Sequence, residues 1–344
     1  MDIKSMTLAE LTAALAELSE PAYRAKQLYA WMHVRLATTY EEMTNLPKSL
    51  REKLAERYPL TVLTKAVRLD SKLDGTKKYL FRLPDGNVIE SVRMEYHHGV
   101  SVCISSQVGC RMGCTFCAST IGGLVRNLTP SEMAEQIYAI TRDTGERVSN
   151  IVVMGTGEPL DNYDNLLAFL RIITDENGLH ISQRNVTIST CGLVPKLRSL
   201  ADLKLAVTPA ISLHAPNDEL RRKLMPVANS FSVRELIDAA KYYTEKTGRR
   251  MTFEYSLIAG VNDSGAQAKE LAALLKGLSA HVNLIPVNPV SERDYKRSLV
   301  KNVLHFQKML ENEGIHVTIR RELGSDINAA CGQLRRHYES GSGE

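Results

Sequence analysis

The sequence predicts an α/β fold: a curved parallel sheet built from six βα units, preceded by a small helical domain and a β-hairpin. Three observations predict it. Leucines recur at three- and four-residue spacing through roughly the first 60 residues. The apolar period then changes to two around a Pro-Asp-Gly-Asn turn. From Val100 on, short β-branched runs alternate with helix-length segments to the C-terminus.

In the first segment, 1–60, Leu8, Leu11, Leu15 and Leu18 line one face of a helix, and Leu28, Trp31 and Met32 continue the pattern after Pro21. A third helix starts at Pro47, where a proline costs no hydrogen bond, and Leu46, Leu50 and Leu54 fall on one face of that short segment. In the second segment, 61–98, Tyr79, Phe81 and Leu83 alternate up to the turn at Pro84 to Asn87, and Val88, Ser91 and Val92 lead away, a β-hairpin. The third segment, 99–344, holds the strands VSVCIS, NIVVM, NVTIS, TPAISL, MTFEYSLI and HVNLIPV, each followed by a helix, with HVTIR closing the series. Parallel barrels place ligands at the C-terminal ends of their strands, so the loops after these runs are where chemistry is sought.

The composition fits this picture. The chain has 344 residues, 44% hydrophobic and 24% charged, which excludes the disordered, collagen-like and disulfide-stapled classes. No apolar run approaches the roughly 18 residues of a membrane span, and MDIKSMTLAELTAAL is an acid-bearing amphipathic pattern rather than a signal peptide. A cytoplasmic protein with no membrane partner is expected, a monomer by default. Net charge is +4, from 43 Lys and Arg against 39 Asp and Glu, which permits an RNA partner without requiring one.

Three of the six cysteines, Cys110, Cys114 and Cys117, fall in GCRMGCTFC with spacing C-x3-C-x2-C, directly after a predicted strand. Three thiolates suit a 4Fe-4S cluster that keeps one iron open to a ligand. A structural zinc would want a fourth ligand, which His97 or His98 offers, and three core cysteines are the bland alternative. At the next strand end, Met154-Gly155-Thr156-Gly157-Glu158-Pro159 offers glycines that let backbone approach a ligand, followed by a carboxylate. Alone it reads equally as a strand-to-helix connection, since it lacks the Lys-Ser/Thr of a phosphate loop. Later strand ends carry Ser189, Ser212-Leu213-His214 and Asn288, polar groups suited to ribose, carboxylate or adenine, though each alone is an ordinary cap or turn residue. Cys191 reads as a small core side chain.

The cysteine spacing, with Phe116 before the last cysteine, resembles the motif of the radical S-adenosylmethionine superfamily. That resemblance implies a partial (βα)6 barrel, a 4Fe-4S cluster on Cys110, Cys114 and Cys117, and S-adenosylmethionine as cosubstrate. It also implies cosubstrate contacts from Gly157, Glu158, Ser189, Ser212, Leu213, His214 and Asn288. GSDINAACGQLRR near the C-terminus is similar to the signature of one branch, the RlmN/Cfr family of RNA adenine methyltransferases. RAKQLYAWM, EEMTNLPKSLREKL, IESVR and VCISSQVGCRMGCTFCAST resemble the same family in order along the chain.

What that resemblance implies is methylation of an adenine in 23S rRNA, and of a tRNA adenine, through an S-methylcysteine on Cys331. Two S-adenosylmethionine molecules are used per turnover. Cys103 would be the resolving cysteine, closing a disulfide with Cys331, and Glu90 the proton acceptor, where composition alone reads an exposed hairpin acid. A flavodoxin or ferredoxin would supply the electron. Adenine carbon two is electrophilic, so an ordinary nucleophilic attack on a sulfonium cannot methylate it. Pro159 favours the carbon-two branch over the carbon-eight branch, which confers antibiotic resistance; a radical enzyme without methyl transfer leaves Cys103 and Cys331 without purpose. A non-enzymatic RNA-binding iron–sulfur or zinc module is the alternative from another class. Backbone contacts to RNA are expected from Arg24, Lys26, Lys48, Arg51 and Lys53 with Arg335 and Arg336, each otherwise a solvated charge.

Overall fold

The computed structural model describes residues 2–97, 99–288, 293–327, 334 and 338. Helices α1 (Leu8–Ala16), α2 (Tyr23–His33) and α3 (Lys48–Arg57) form the N-terminal part, with Pro47 at the N-cap of α3. Thr7 and Glu10 close a reciprocal capping box at the start of α1, satisfying two backbone donors that the first turn leaves unpaired. Leu11, Leu15, Leu28, Leu50 and Leu54 are fully buried in one apolar core, so the leucine spacing seen in the sequence is the packing face. Against the rest of the chain this core is fastened by two buried contacts. Lys4 Nζ donates to Glu135 Oε1 at 2.6 Å, and His33 Nδ1 lies 2.7 Å from the Tyr138 hydroxyl.

The chain then lays down β1 (Thr64–Asp70), β2 (Lys77–Arg82), β3 (Val88–Tyr96) and β4 (Gly99–Cys103) as an antiparallel meander. The hairpin expected over 61–98 is therefore two strands of a three-stranded extension. Its first strand escapes a pattern search because β1 lies at the sheet edge and most of its side chains are exposed or half-exposed, leaving no apolar alternation. A two-stranded ribbon, β5 (Gln107–Gly109) with β6 (Leu124–Asn127), brackets the cysteine loop.

Next come α4 (Pro130–Thr144), β7 (Val148–Val153), α5 (Tyr163–Thr174), β8 (Val186–Thr190), α6 (Val194–Asp202) and β9 (Thr208–Ser212). They are followed by α7 (Asp218–Leu224), α8 (Val233–Thr247), β10 (Met251–Leu257), α9 (Gly265–Leu275), β11 (Ala280–Pro286), α10 (Val300–Asn312) and β12 (His316–Ile319). The main sheet has ten strands in the order β1-β2-β3-β4-β7-β8-β9-β10-β11-β12, parallel from β4 onward. It stays open, with β1 and β12 as its edges, and is a partial barrel with an antiparallel apron. Strand residues such as Val102, Ile151, Ile188, Ile211, Phe253 and Leu284 pack with the outer helices into one large core. The sequence reading put one helix between β9 and β10; the structure has two, α7 and α8. No helix among the described residues is long and apolar enough to cross a membrane.

Candidate active site

The loops after β5, β7, β8 and β9 converge at the C-terminal end of the parallel strands, where a parallel barrel exposes its ligand face. The cysteine loop is shaped by its glycines and its own carbonyls. Gly109 has φ +77°, and a Cβ there would lie 2.0 Å from the Gly123 carbonyl oxygen, which accepts from Cys110 N at 2.9 Å. The Thr120 hydroxyl donates to the carbonyls of Cys114 and Cys117 at 3.1 and 2.9 Å. Thr115 N donates to Leu224 O at 2.9 Å, tying the loop to the end of α7.

Cys110, Cys114 and Cys117 line a cavity of about 140 Å³ with Gly155, Gly157, Glu158, Ser189, Ser212 and His214. Among the described residues no three His, Cys, Asp or Glu side chains converge tightly enough for a single metal ion; the thiols are spread around the shared cavity. Burial pushes the Cys110 thiol up to about 12 and Cys114 higher still, and the neighbouring thiols add to both shifts. Three neighbouring thiolates, two of them buried, would repel one another and lack solvation, and a cationic iron–sulfur core is the kind of partner that compensates both costs. The donor set fits that group.

The Gly155–Glu158 turn lines the cavity and is also held by close packing. A Cβ on Gly155 would lie 2.7 Å from Ile104 O, and one on Gly157, at φ +110°, 2.6 Å from Gln107 Cβ. These glycines are required by close packing on the β4–β5 connection, which also holds the cavity wall in place. Glu158 is buried; its carboxylate accepts from Cys191 N at 2.7 Å and Leu160 N at 3.0 Å. Burial raises its pKa and these backbone donors oppose the rise. Glu158 thereby anchors the end of β8 against β7.

Ser189 and Ser212 sit on adjacent strand ends with their hydroxyl oxygens 3.4 Å apart. His214, at φ +58°, accepts from Ser256 N through Nδ1 at 2.9 Å. A backbone N–H can only donate, so Nδ1 is unprotonated and Nε2 carries the hydrogen. Burial lowers the His214 pKa to about 3, with the Arg221 charge adding to the effect, and the ring stands edge-on to Phe116 at 4.9 Å. The cavity therefore presents a neutral donor, two hydroxyls and backbone groups, a set suited to a polar, zwitterionic molecule.

A second cavity, about 190 Å³, adjoins the first through Met154, which lines both. Cys103 lines it, with Tyr96, Asn288 and the three arginines Arg297, Arg320 and Arg321. Cys103 is directly opposite Val92 on β3, so Glu90, two residues earlier, projects from the same sheet face. Glu90 is buried and lies 3.2 Å from Lys78 Nζ, not exposed as an isolated hairpin acid would be. Asp74 and Asp326 hold the segment after β12 to this apron: Gly324 N donates to Asp74 Oδ2 at 2.8 Å, and the Ser71 hydroxyl donates to Asp326 Oδ1 at 2.7 Å.

The sequence-predicted residues thus divide. Cys110, Cys114, Cys117, Gly157, Glu158, Ser189, Ser212 and His214 meet in the first cavity; Cys103 and Asn288 meet in the second; Leu213 is turned into the core. Cys331, Arg335, Arg336 and His98 lie outside the described residues. Of the N-terminal cations, Lys26, Lys48 and Lys53 are exposed. Arg24 and Arg51 donate to the carbonyls of Asn45 and Glu41 at 3.1 and 2.8 Å. Cys191 is the small core side chain expected and also lines the thiol cavity; sequence reasoning missed Met225 there and the rim arginines of the second cavity. It also missed Arg221, hidden in DELRRKL, which reads as a solvated helical turn.

The sequence matches the Radical SAM superfamily over residues 104–272 and the ribosomal RNA large subunit methyltransferase N-terminal domain over residues 1–59. It is 63% identical over 338 residues to a probable dual-specificity RNA methyltransferase RlmN of Lachnoclostridium phytofermentans, covering 98% of this chain and 95% of that one. Identity to a relative of the same description from Clostridioides difficile is 52% over 337 residues, with 98% of each chain covered. The fold superimposes on the crystal structure of a radical SAM methyltransferase from Sphaerobacter thermophilus with TM-score 0.93 and 47% identity, covering 97% of this chain and 98% of that one.

Proposed function

The chain belongs to the RlmN family of radical S-adenosylmethionine RNA methyltransferases, and from that premise we propose that it methylates carbon two of an adenine in 23S rRNA and of a tRNA adenine beside the anticodon. One observation carries the reading: a three-thiol cavity and a cation-rimmed cavity containing Cys103 share Met154 as a common wall.

Cys110, Cys114 and Cys117 would hold a 4Fe-4S cluster, and Gly157, Ser189, Ser212 and His214 would bind S-adenosylmethionine, with Glu158 fixing the wall behind it. When bound, the cluster supplies the electron that splits the sulfonium and delivers a 5'-deoxyadenosyl radical. The rest is done by the chain's own side chains. The Cys331 thiolate accepts a methyl group from one S-adenosylmethionine and presents it for hydrogen abstraction after a second is cleaved. The Cys103 thiolate attacks the Cys331 sulfur, forming the disulfide as the bond from that sulfur to the transferred carbon breaks; the carbon takes up a proton to become the new methyl group, and a two-electron reductant must reopen the disulfide. Glu90 takes the proton from the adenine carbon, and Lys78 at 3.2 Å offsets the cost of burying its charge.

The target base leaves its stack to reach this cavity, which suits an RNA loop. Arg297, Arg320 and Arg321 contact the phosphates flanking it, with Lys26, Lys48 and Lys53 as outlying backbone contacts. The reaction takes place in the cytoplasm, with a flavodoxin or ferredoxin as electron donor.

The test is nucleoside mass spectrometry of unmodified 23S rRNA and tRNA after anaerobic incubation with reconstituted protein, reductant and S-adenosylmethionine, beside Cys331→Ala. 2-Methyladenosine from the wild type and none from the variant is expected. 8-Methyladenosine would move the chain to the carbon-eight branch, and product from the variant would remove Cys331 from the mechanism.

A further inference from the structure

Among the described residues, four lysine and arginine side chains are almost completely buried: Lys4, Lys78, Arg93 and Arg221. Three of them face a carboxylate. Lys4 reaches Glu135 at 2.6 Å, Lys78 reaches Glu90 at 3.2 Å, and Arg93 reaches Glu146 at 2.5 Å and Glu95 at 2.8 Å. Arg221, on α7 and fully buried, makes no such pair with any described residue. Its Nη2 donates to Cys191 O at 2.6 Å and to Ser212 O at 3.3 Å, and its Nε donates to Leu213 O at 3.2 Å. Nη1 is buried with no hydrogen-bond partner among the described residues.

A lone buried guanidinium is costly unless an opposite charge sits nearby, because three carbonyl dipoles do not replace its hydration. The chain itself offers little anionic charge here: burial holds the Cys191 and Cys114 thiols in their neutral form unless a metal centre deprotonates them, and Asp218 acts only weakly. Cys114 and Cys191 pack with Leu224, the last residue of α7, and the Leu224 carbonyl accepts from Thr115 N inside the cysteine loop. The buried cation is thus mounted on the helix that braces the cysteine loop. An oxidised 4Fe-4S core bound by three cysteinates is a net anion, and one added electron deepens that charge.

We infer that Arg221 is the buried counter-cation of the cysteine-bound cluster, stabilising its reduced form and so raising its reduction potential. The inference rests on the reading that Cys110, Cys114 and Cys117 hold an iron–sulfur cluster. Arg221 acts through the cluster and touches no substrate, so it is a positioning residue. Its carbonyl contacts also fix the ends of β8 and β9, where Ser189 and Ser212 stand. Charge and bracing are separable: lysine keeps the charge without the planar fork, and methionine removes both while filling similar space.

The experiment uses the full chain reconstituted anaerobically as wild type, Arg221→Met and Arg221→Lys, with iron and sulfide content measured first and a potentiometric titration of the cluster followed by electron paramagnetic resonance. At the potential where the wild-type cluster is half reduced, the reduced-to-oxidised ratio in Arg221→Met is expected to fall at least tenfold, which for a one-electron couple is about 59 mV. Arg221→Lys is expected to stay within threefold of wild type. Wild-type iron content with an unshifted titration in Arg221→Met overturns the inference. Should Arg221→Met take up no cluster, Arg221→Lys decides: a full, unshifted cluster supports the assignment, and an empty site or a tenfold shift overturns it. A wild type that takes up no iron overturns the cluster reading itself, and the inference with it.

Discussion

The two cavities that meet at Met154 solve opposite electrostatic problems. The thiol cavity is lined by Cys110, Cys114 and Cys117 with Glu158, Ser189, Ser212 and the neutral His214, and Arg221 is the cation buried behind it. The Cys103 cavity is rimmed by Arg297, Arg320 and Arg321, with Arg297 partly neutralised by Glu322 at 2.8 Å. Preorganised dipoles suit a compact polar group, and a cluster of arginines suits a polyanion. A single thioether side chain, Met154, lines both.

The sharpest way to break this division is a pair of variants that should fail in opposite ways. Cys114→Ala is expected to abolish S-adenosylmethionine cleavage while leaving RNA affinity within about twofold, measured by product chromatography and filter binding. The double variant Arg320→Ala/Arg321→Ala is expected to weaken RNA binding by about tenfold or more and to reduce the salt dependence of log K by roughly 1 to 2. Its reductive cleavage of the cosubstrate without RNA should persist. If both variants lose both activities together, the two cavities are one site.

A smaller effect contrasts the barrel with the helical part. His33, between α2 and α4, is buried and neutral, its pKa pushed by burial to about 3. The unfolded chain takes up a proton at His33 below about pH 6.5 while the folded chain does not. This group's contribution is therefore complete above that pH and is lost progressively toward pH 3, about 2 kcal/mol of it by pH 5. Urea unfolding of His33→Gln should show a pH dependence between 7 and 5 that is flatter by about that amount. An unchanged slope would mean that His33 titrates in the fold as it does in the unfolded chain.

These contrasts also mark how far the residues alone could be read. The helical domain and the barrel were legible because Leu11, Leu15 and Leu28, and strand runs such as Ile151 and Ile188, carry their period directly into the core. The cysteine loop was legible because its spacing is chemically specific. Strand β1 was not, since an edge strand with exposed faces has no alternation to detect. Glu90 and Arg221 defeat composition reasoning for a common reason: charged residues are mostly outside, and these two are inside for the sake of particular neighbours. Gly155 and Gly157 were legible as special positions, but the neighbour that requires them is the β4–β5 backbone, which only the fold brings close.

The central claim is that the two cavities serve a single covalent reaction, in which the base is joined to the chain and then released by Cys103. The most direct measurement is intact mass spectrometry of reconstituted Cys103→Ala after anaerobic turnover with S-adenosylmethionine, reductant and a short unmodified RNA loop containing the target adenine. The account predicts that protein linked to RNA through Cys331 accumulates and that methylated RNA is not released. Free methylated RNA from this variant at the wild-type rate, with no linked species, would contradict it.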